Sequence, residues 1–250
     1  MNPAPVWIVL PAYNEAAGLP VLLEAIERTR AGSAWQVVVV DDGSTDATAA
    51  AVRERATRAP VTLLVHTQNQ GLGAALRTGL EHVCREASPE AVVVTMDADN
   101  THAPEQIPSM VDAIWRGADV VIASRYVRGA RQAGVPAHRN LLSGGVGLLL
   151  RLRFGLPGVR DYSCGYRAYR AGILQRAVRA YGPRLIESRG FVVMTELLVK
   201  LAPLRPRIAE VPLDLRYDRK VGASKMPAGR TIAGYLRLVL APAPRLGRPE

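Results

Sequence analysis

Gln36-Val37-Val38-Val39-Val40-Asp41-Asp42-Gly43-Ser44-Thr45-Asp46 is the stretch on which the fold turns. Consecutive valines without alternation are what a strand covered on both faces requires, because neither side of its pleat meets water. The polar cluster then ends the strand: Asp42-Gly43 suits a tight turn, and Ser44 or Thr45 suits the cap of a following helix. The same grammar recurs on either side. Residues 6–10 run into Pro11-Ala12-Tyr13-Asn14-Glu15, and residues 91–96 run into Asp97-Ala98-Asp99-Asn100-Thr101-His102. Further β-branched runs at 61–65 and 119–123 alternate with helical patterns at 17–30, 45–58, 72–85 and 105–115. This βαβαβαβαβ rhythm predicts an α/β domain with a mostly parallel sheet between helices. Ligands in such sheets collect beyond the carboxyl ends of the strands, where loops and helix N-termini present free backbone donors. Three polar loops on one edge therefore define a cleft.

Beyond residue 125 the rhythm loosens. The segment 128–134 reads as a basic connection, and 138–153 as an amphipathic helix interrupted by Gly144, Gly145 and Gly147. Residues 161–169 read as a turn feeding a strand, 171–180 and 190–201 as helices, and 207–215 as one strand before the polar loop 216–225. The expected organisation is a catalytic domain over 1–226, with halves meeting near 125, and an amphipathic segment with a frayed tail over 227–250.

At 250 residues, 48% hydrophobic and 22% charged, the chain is neither disordered nor a disulfide-stapled miniprotein. Cys84 and Cys164 show no pairing pattern and read as reduced thiols of a cytoplasmic protein. No signal peptide is read at the start, and no apolar run reaches membrane-spanning length. The signs of charge segregate. Residues 1–115 carry seven Arg against fourteen Asp or Glu, a net of −7, whereas residues 116–250 carry twenty-five Lys or Arg against eight acids, a net of +17. An acidic front beside a basic rear suits a metal or sugar-nucleotide region next to a grip for phosphate or an anionic membrane surface. Nucleic acid is disfavoured, since aromatics are 5% of the chain and neither zinc-finger spacing nor an aromatic-basic RNA motif occurs.

Asp97-Ala98-Asp99 is the sharpest chemical feature. Two carboxylates at the end of a strand repel unless a cation or a buried base neutralises them. Mg²⁺ or Mn²⁺ held by one or two carboxylates plus substrate phosphates is the favoured reading. The bland alternative is a loop whose acids cap the next helix. Asp41, an acid directly after four valines, is placed to accept hydrogen bonds from a nucleobase or ribose. Asn69-Gln70-Gly71-Leu72-Gly73 is a poor match to a dinucleotide loop, because Leu76 holds the third glycine position.

Together these residues resemble the family 2 glycosyltransferases. Ser124-Arg125-Tyr126, Asp161-Tyr162-Ser163-Cys164-Gly165-Tyr166-Arg167, Glu210-Val211-Pro212 and Arg219-Lys220-Val221-Gly222-Ala223-Ser224-Lys225 narrow the likeness to the branch containing dolichol-phosphate mannose synthase and its bacterial polyprenyl-phosphate relatives. The resemblance implies a GT-A fold, a nucleotide-diphosphate sugar donor, one divalent metal, and inversion onto a lipid phosphate. GDP-mannose is the leading donor on this likeness alone. Carried over position by position, Pro11, Tyr13, Asn14, Glu15 and Asp41 line the nucleoside pocket, and Asp97 and Asp99 face the diphosphate and metal. Thr101 stands where close relatives often carry a metal-binding Gln or Ser; its hydroxyl offers an oxygen. Cys164, in place of the usual small residue, is not read as a nucleophile because no base is paired with it.

A phosphate acceptor already bears about −1.5 to −2 charges at neutral pH, so it needs cations that hold it in line rather than a strong base. Arg125, Arg139, Arg219 and Lys225 are the candidates; the alternative for each is a solvated surface charge. A hydroxyl acceptor would instead require a carboxylate base, for which Asp161 or Glu196 are the candidates, although Glu196 equally suits a structural acid paired with an Arg. A non-catalytic nucleotide-sugar-binding subunit is the remaining alternative. Residues 141–156 and 231–240 suit either core packing or an anionic membrane interface, giving a peripheral enzyme at the cytoplasmic membrane face. A separate membrane-anchoring subunit stays open as a further partner.

Overall fold

The computed structural model describes residues 4–29, 34–135, 137–220 and 228–242, with the side chains of 137–143, 228 and 230 outside that description. The first half follows the expected alternation: β1 (Val6–Ala12), α1 (Leu19–Thr29), β2 (Trp35–Asp41), α2 (Thr48–Ala56), β3 (Val61–Val65), α3 (Leu72–Glu86), β4 (Val92–Thr95), α4 (Ile107–Trp115) and β5 (Val120–Ser124). Then come β6 (Arg131–Ala133), α5 (Ala137–Phe154), β7 (Arg167–Arg170), α6 (Ala171–Tyr181), α7 (Val193–Leu201), β8 (Ile208–Pro212), β9 (Asp214–Arg216) and α8 (Ala228–Leu240).

The main sheet runs β3-β2-β1-β4-β7-β5-β8. Its centre is dry: Val38, Val39, Val40, Val92, Val93 and Val94 are all fully buried, so each strand packs against helices on both faces. β1 pairs in parallel with β2 on one side and β4 on the other. Chain order reverses there, and the loops after β1, β2 and β4 open beside one another at this switch point.

Two expectations need correction, and one strand takes a direction that the sequence reading left open. β7 is antiparallel, inserted between β4 and β5. Its Arg167 is fully buried and donates to the carbonyl oxygens of Met194 (2.5 Å) and Tyr162 (2.7 Å). The single strand expected over 207–215 is two: β8 lies in parallel on β5, and β9 pairs with β6 in a separate two-stranded sheet. Pro212 has no N–H to continue the ladder, and the chain changes sheet immediately after it. α5 runs unbroken through Gly144, Gly145 and Gly147. Each glycine costs a helix about 1 kcal/mol, and the helix is held by packing, with Leu150 fully buried and Val146 and Phe154 against the core. α8 is docked through the buried Tyr235 and through Gly234, where a Cβ would lie 2.7 Å from Val192.

Candidate active site

The loops after β1 and β2 are stitched together by side chains. Asn14, in the left-handed region at φ 52°, accepts from the Thr45 N–H (2.8 Å), and its own N–H donates to the Ser44 hydroxyl (2.9 Å). Glu15 N–H donates to Thr48 Oγ1 (2.9 Å) and Ala16 N–H to Asp46 (3.2 Å). Ser44, Thr45, Asp46 and Thr48 therefore hold the neighbouring loop as well as their own turn. Asp41, 2% exposed, accepts from the Ser44 N–H at 3.0 Å. Asp42 accepts from the Gln70 and Gly71 N–H groups (2.9 and 2.7 Å) and contacts His66 Nδ1 at 2.7 Å, fixing the loop before α3. Gly43 is obligatory: at φ +68° a Cβ would sit 2.4 Å from the Gln68 carbonyl carbon.

The acidic loop after β4 has its own scaffold. The Asp97 N–H donates to His102 Nδ1 at 3.1 Å, and His102 Nε2 lies 4.0 Å from Asp97 Oδ2. The His102 ring is stacked on Tyr166, with centroids 4.8 Å apart. Asn100, at φ 64°, turns the loop and donates to the Gly18 carbonyl oxygen (3.0 Å). Asp99 Oδ1 accepts from both the N–H and the hydroxyl of Thr101, at 3.1 and 2.6 Å. Asp99 Oδ2 accepts from the Lys220 ammonium. Burial pushes the Asp97 carboxyl up, against the pull of His102. Burial acts on Asp99 likewise, but hydrogen bonds from Lys220 and Thr101 outweigh it and hold this carboxyl below the usual range. Two carboxylates and a hydroxyl are hard oxygen donors, and the ammonium already at Asp99 shows that the position attracts a cation. The residues fit Mg²⁺ or Mn²⁺.

One cavity of about 1270 Å³ joins these loops to the rear half. Drug-sized pockets span about 300–1,000 Å³, and this one exceeds that range. Pro11, Tyr13, Glu15, Asp97, Asp99 and Thr101 line its polar end; Phe154, Tyr181, Phe191, Val192, Leu238 and Pro242 line an apolar arm. Arg184, Arg189, Arg237 and Lys220 also reach it. Asn14 and Asp41 do not line it, and they shape the loops that do.

Of the four cations expected to grip phosphate, the side chains of Arg125 and Arg219 are described. Arg125 does not line the cavity: its Nε and a terminal nitrogen form a fork on Asp161 (2.7 and 2.6 Å), and it also donates to Ser163 Oγ (2.6 Å). Asp161 is fully buried and also accepts from the N–H groups of Arg125, Ser163 and Cys164. Burial pushes the Asp161 carboxyl up, but Arg125 overrides it and holds it low. With both oxygens taken, Asp161 is not placed as a general base. Nor is Glu196, which accepts from the N–H groups of Glu187 (3.0 Å) and Ser188 (2.8 Å) and pairs with Lys200 (2.7 Å), a lysine rather than the expected arginine. Arg219 is exposed on the short turn Tyr217–Arg219, and the next residue, Lys220, reaches the acidic loop instead. Arg139 lies on α5 with its side chain outside the described residues, as is the whole of Lys225. Burial pushes the Cys164 thiol up to about 12 and that of Cys84 to about 11, so neither is a ready thiolate.

Residues 7–177 match the profile of Glycosyl transferase family 2. The chain is 37% identical over 225 residues to an undecaprenyl-phosphate mannosyltransferase of Micrococcus luteus, covering 90% of this chain and 88% of that one. It is 34% identical over 221 residues to polyprenol monophosphomannose synthase of Mycolicibacterium smegmatis, covering 88% and 80%. It is also 34% identical over 235 residues to a dolichol-phosphate mannosyltransferase of Pyrococcus furiosus, where it spans 93% of its own length and 62% of the relative's. Among solved structures, glucosyl-3-phosphoglycerate synthase from Mycobacterium tuberculosis, with Mn²⁺, UDP-glucose and phosphoglyceric acid, superposes at a TM-score of 0.67 and 22% identity, covering 94% of this chain and 77% of that one. That likeness is one of fold, and the fold is GT-A. Sheet order, strand-end loops and sequence agree: this chain is a glycosyltransferase and belongs to glycosyltransferase family 2.

Proposed function

We propose that this enzyme transfers a hexose, with mannose from GDP-mannose as the leading choice, onto the phosphate of a polyprenyl lipid with inversion at the anomeric carbon. The observation that carries the reading is the continuity of the cavity, acidic at the strand ends and, between α8 and residues 181–192, lined both by apolar side chains (Tyr181, Phe191, Val192, Leu238) and by Arg184, Arg189 and Arg237. Pro11, Tyr13 and Glu15 border the nucleoside, over loops braced by Asn14 and Asp41. Asp97 and Asp99, with the Thr101 hydroxyl beside them, would hold Mg²⁺ or Mn²⁺, which when bound neutralises charge on the leaving diphosphate. Metal-containing structures of the fold relative lend that support. The chain's own part is to orient donor and acceptor and to keep water from the reacting carbon. A phosphate monoester needs no base to attack, which suits a site where Asp161 and Glu196 are both committed to hydrogen bonds. Arg184, Arg189 and Arg237, rather than Arg125, are the cavity-lining cations for the acceptor phosphate; Arg219, Arg139 and Lys225 remain its partners by family resemblance.

No helix among the described residues is long and apolar enough to cross a membrane. α5 and α8 nevertheless expose Leu148, Leu149, Leu152, Ile232, Leu236 and Leu240, beside Arg151, Arg153 and Arg237. We infer that this pair rests on an anionic lipid surface and brings the apolar arm to the acceptor. The free thiols fit a cytoplasmic face.

The test is direct. Purified protein is incubated with labelled nucleotide sugars, Mg²⁺ or Mn²⁺ and short prenyl phosphates, then extracted into organic solvent. Label in the lipid phase, dependent on the divalent ion and greatest with GDP-mannose, is the expected result. Label passing only to a soluble hydroxyl acceptor refutes the lipid reading.

A further inference from the structure

Lys220 is delivered to the acidic loop by backbone register rather than by the reach of a flexible side chain. The Arg216 N–H donates to the Thr101 carbonyl oxygen (2.8 Å), and His102 and Leu215 form an antiparallel bridge. These contacts lock the strand before Lys220 onto the loop that carries Asp99. The Lys220 N–H closes a turn on the Tyr217 carbonyl oxygen (3.3 Å), and its Nζ sits 5.8 Å from the Tyr217 ring centre. The ammonium then donates to Asp99 Oδ2, with both side chains only 15% exposed.

The two oxygens of Asp99 are thus divided. Thr101 takes Oδ1 through its N–H and hydroxyl, and Lys220 takes Oδ2. A divalent ion binds carboxylate oxygen directly at about 2.0–2.6 Å, and an ammonium with its protons aimed at the same oxygen occupies that approach. Two cations that close repel strongly where water is scarce. One must leave.

Resting on the metal reading of Asp97 and Asp99, we propose that Lys220 is the resident counter-cation of Asp99 and that it exchanges with the divalent ion. Lys220 then neutralises the acidic pair between turnovers. On exchange its ammonium stays in the cavity that it lines, free to meet an incoming phosphate. Arrival of the metal with the donor is thereby coupled to the acceptor side.

The sequence makes a clean test available, because the chain contains three lysines, Lys200, Lys220 and Lys225. Lys200 is held by Glu187, Glu196 and the Arg184 carbonyl oxygen and serves as internal reference. The wild-type protein is pulsed with an amine-acetylating reagent with and without Mn²⁺, and modification is read residue by residue by mass spectrometry. Lys220 acetylation should rise about fivefold with Mn²⁺, as expected for loss of one partly screened charged hydrogen bond, while Lys200 stays constant. In parallel, Mn²⁺ alone is titrated by electron paramagnetic resonance. Lys220→Met should bind it about fivefold more tightly than wild type, and Asp99→Asn should not bind it. If Mn²⁺ binds the wild type yet Lys220 acetylation and the affinity of Lys220→Met are unchanged, the exchange is wrong and the metal reading stands. If neither wild type nor Lys220→Met binds Mn²⁺, both fall.

Discussion

Replacing Arg125 by Met separates the two roles open to this arginine. Its side chain is 17% exposed, and the guanidinium forks onto a carboxylate that is fully buried. Asp161 in turn organises residues 161–164 through the N–H groups of Ser163 and Cys164. Removing the cation leaves a buried carboxylate without its partner, which costs about 3–5 kcal/mol. For a domain of this size 1 kcal/mol moves the melting temperature by about 2–4 °C, so Arg125→Met should melt roughly 6–20 °C below wild type. Lysine at the same place keeps the charge but not the fork, and should recover only part of the loss. The assay is a thermal melt followed by circular dichroism at pH 7, run beside an acceptor titration at a temperature where both proteins are folded. There the acceptor KM should move little. A variant that melts with the wild type but needs far more acceptor would refute the structural role and return Arg125 to the phosphate.

Other perturbations address the remaining parts. Asp99→Asn should abolish transfer while leaving the melting temperature within a few degrees of wild type; retained turnover would dismiss the metal assignment. The Asp161 carboxyl is held below its unfolded value, so its contribution is fully present above about pH 4 and is lost as pH falls through the lower folded value. Wild type should therefore lose stability in acid faster than Asp161→Asn, and parallel acid-unfolding curves would contradict the pairing. Leu152, 78% exposed on α5, should insert into lipid. Leu152→Asp should weaken sedimentation with anionic vesicles by about tenfold, the scale of one buried leucine; equal sedimentation would remove α5 from the membrane face.

Much of the fold was legible because β1, β2, β4 and β5 are buried on both faces, and uninterrupted runs such as Val37 to Val40 have no other stable home in water. β7 was not legible in direction. Strand polarity leaves no mark on composition, and Arg167 looks like a surface residue until its carbonyl partners are known. The break between β8 and β9 did carry a signal, Pro212, which the apolar pattern on either side concealed. In the site, Asp97, Asp99 and Thr101 fall together because they share one loop. Lys220 escaped, although it stands beside Arg219, because only the pairing of residues 215 and 216 with 101 and 102 decides which of two adjacent cations turns inward. Arg125 and Asp161 are thirty-six residues apart, and that they consume each other's charge is a fact of tertiary structure alone.

Arg153 donates from α5 to the carbonyl oxygens of Val239 (2.8 Å) and Ala241 (3.0 Å), at the very end of α8. The far wall of the cavity thus hangs by a staple eighty-six residues long in sequence, fastened at main-chain atoms and indifferent to which side chains stand there. A protein clipped after Leu238 would keep every strand and the acidic loop yet have nothing for that staple to hold. If the proposed function holds, grip on sugar nucleotide and admission of a greasy guest should be severable by the length of the polypeptide alone.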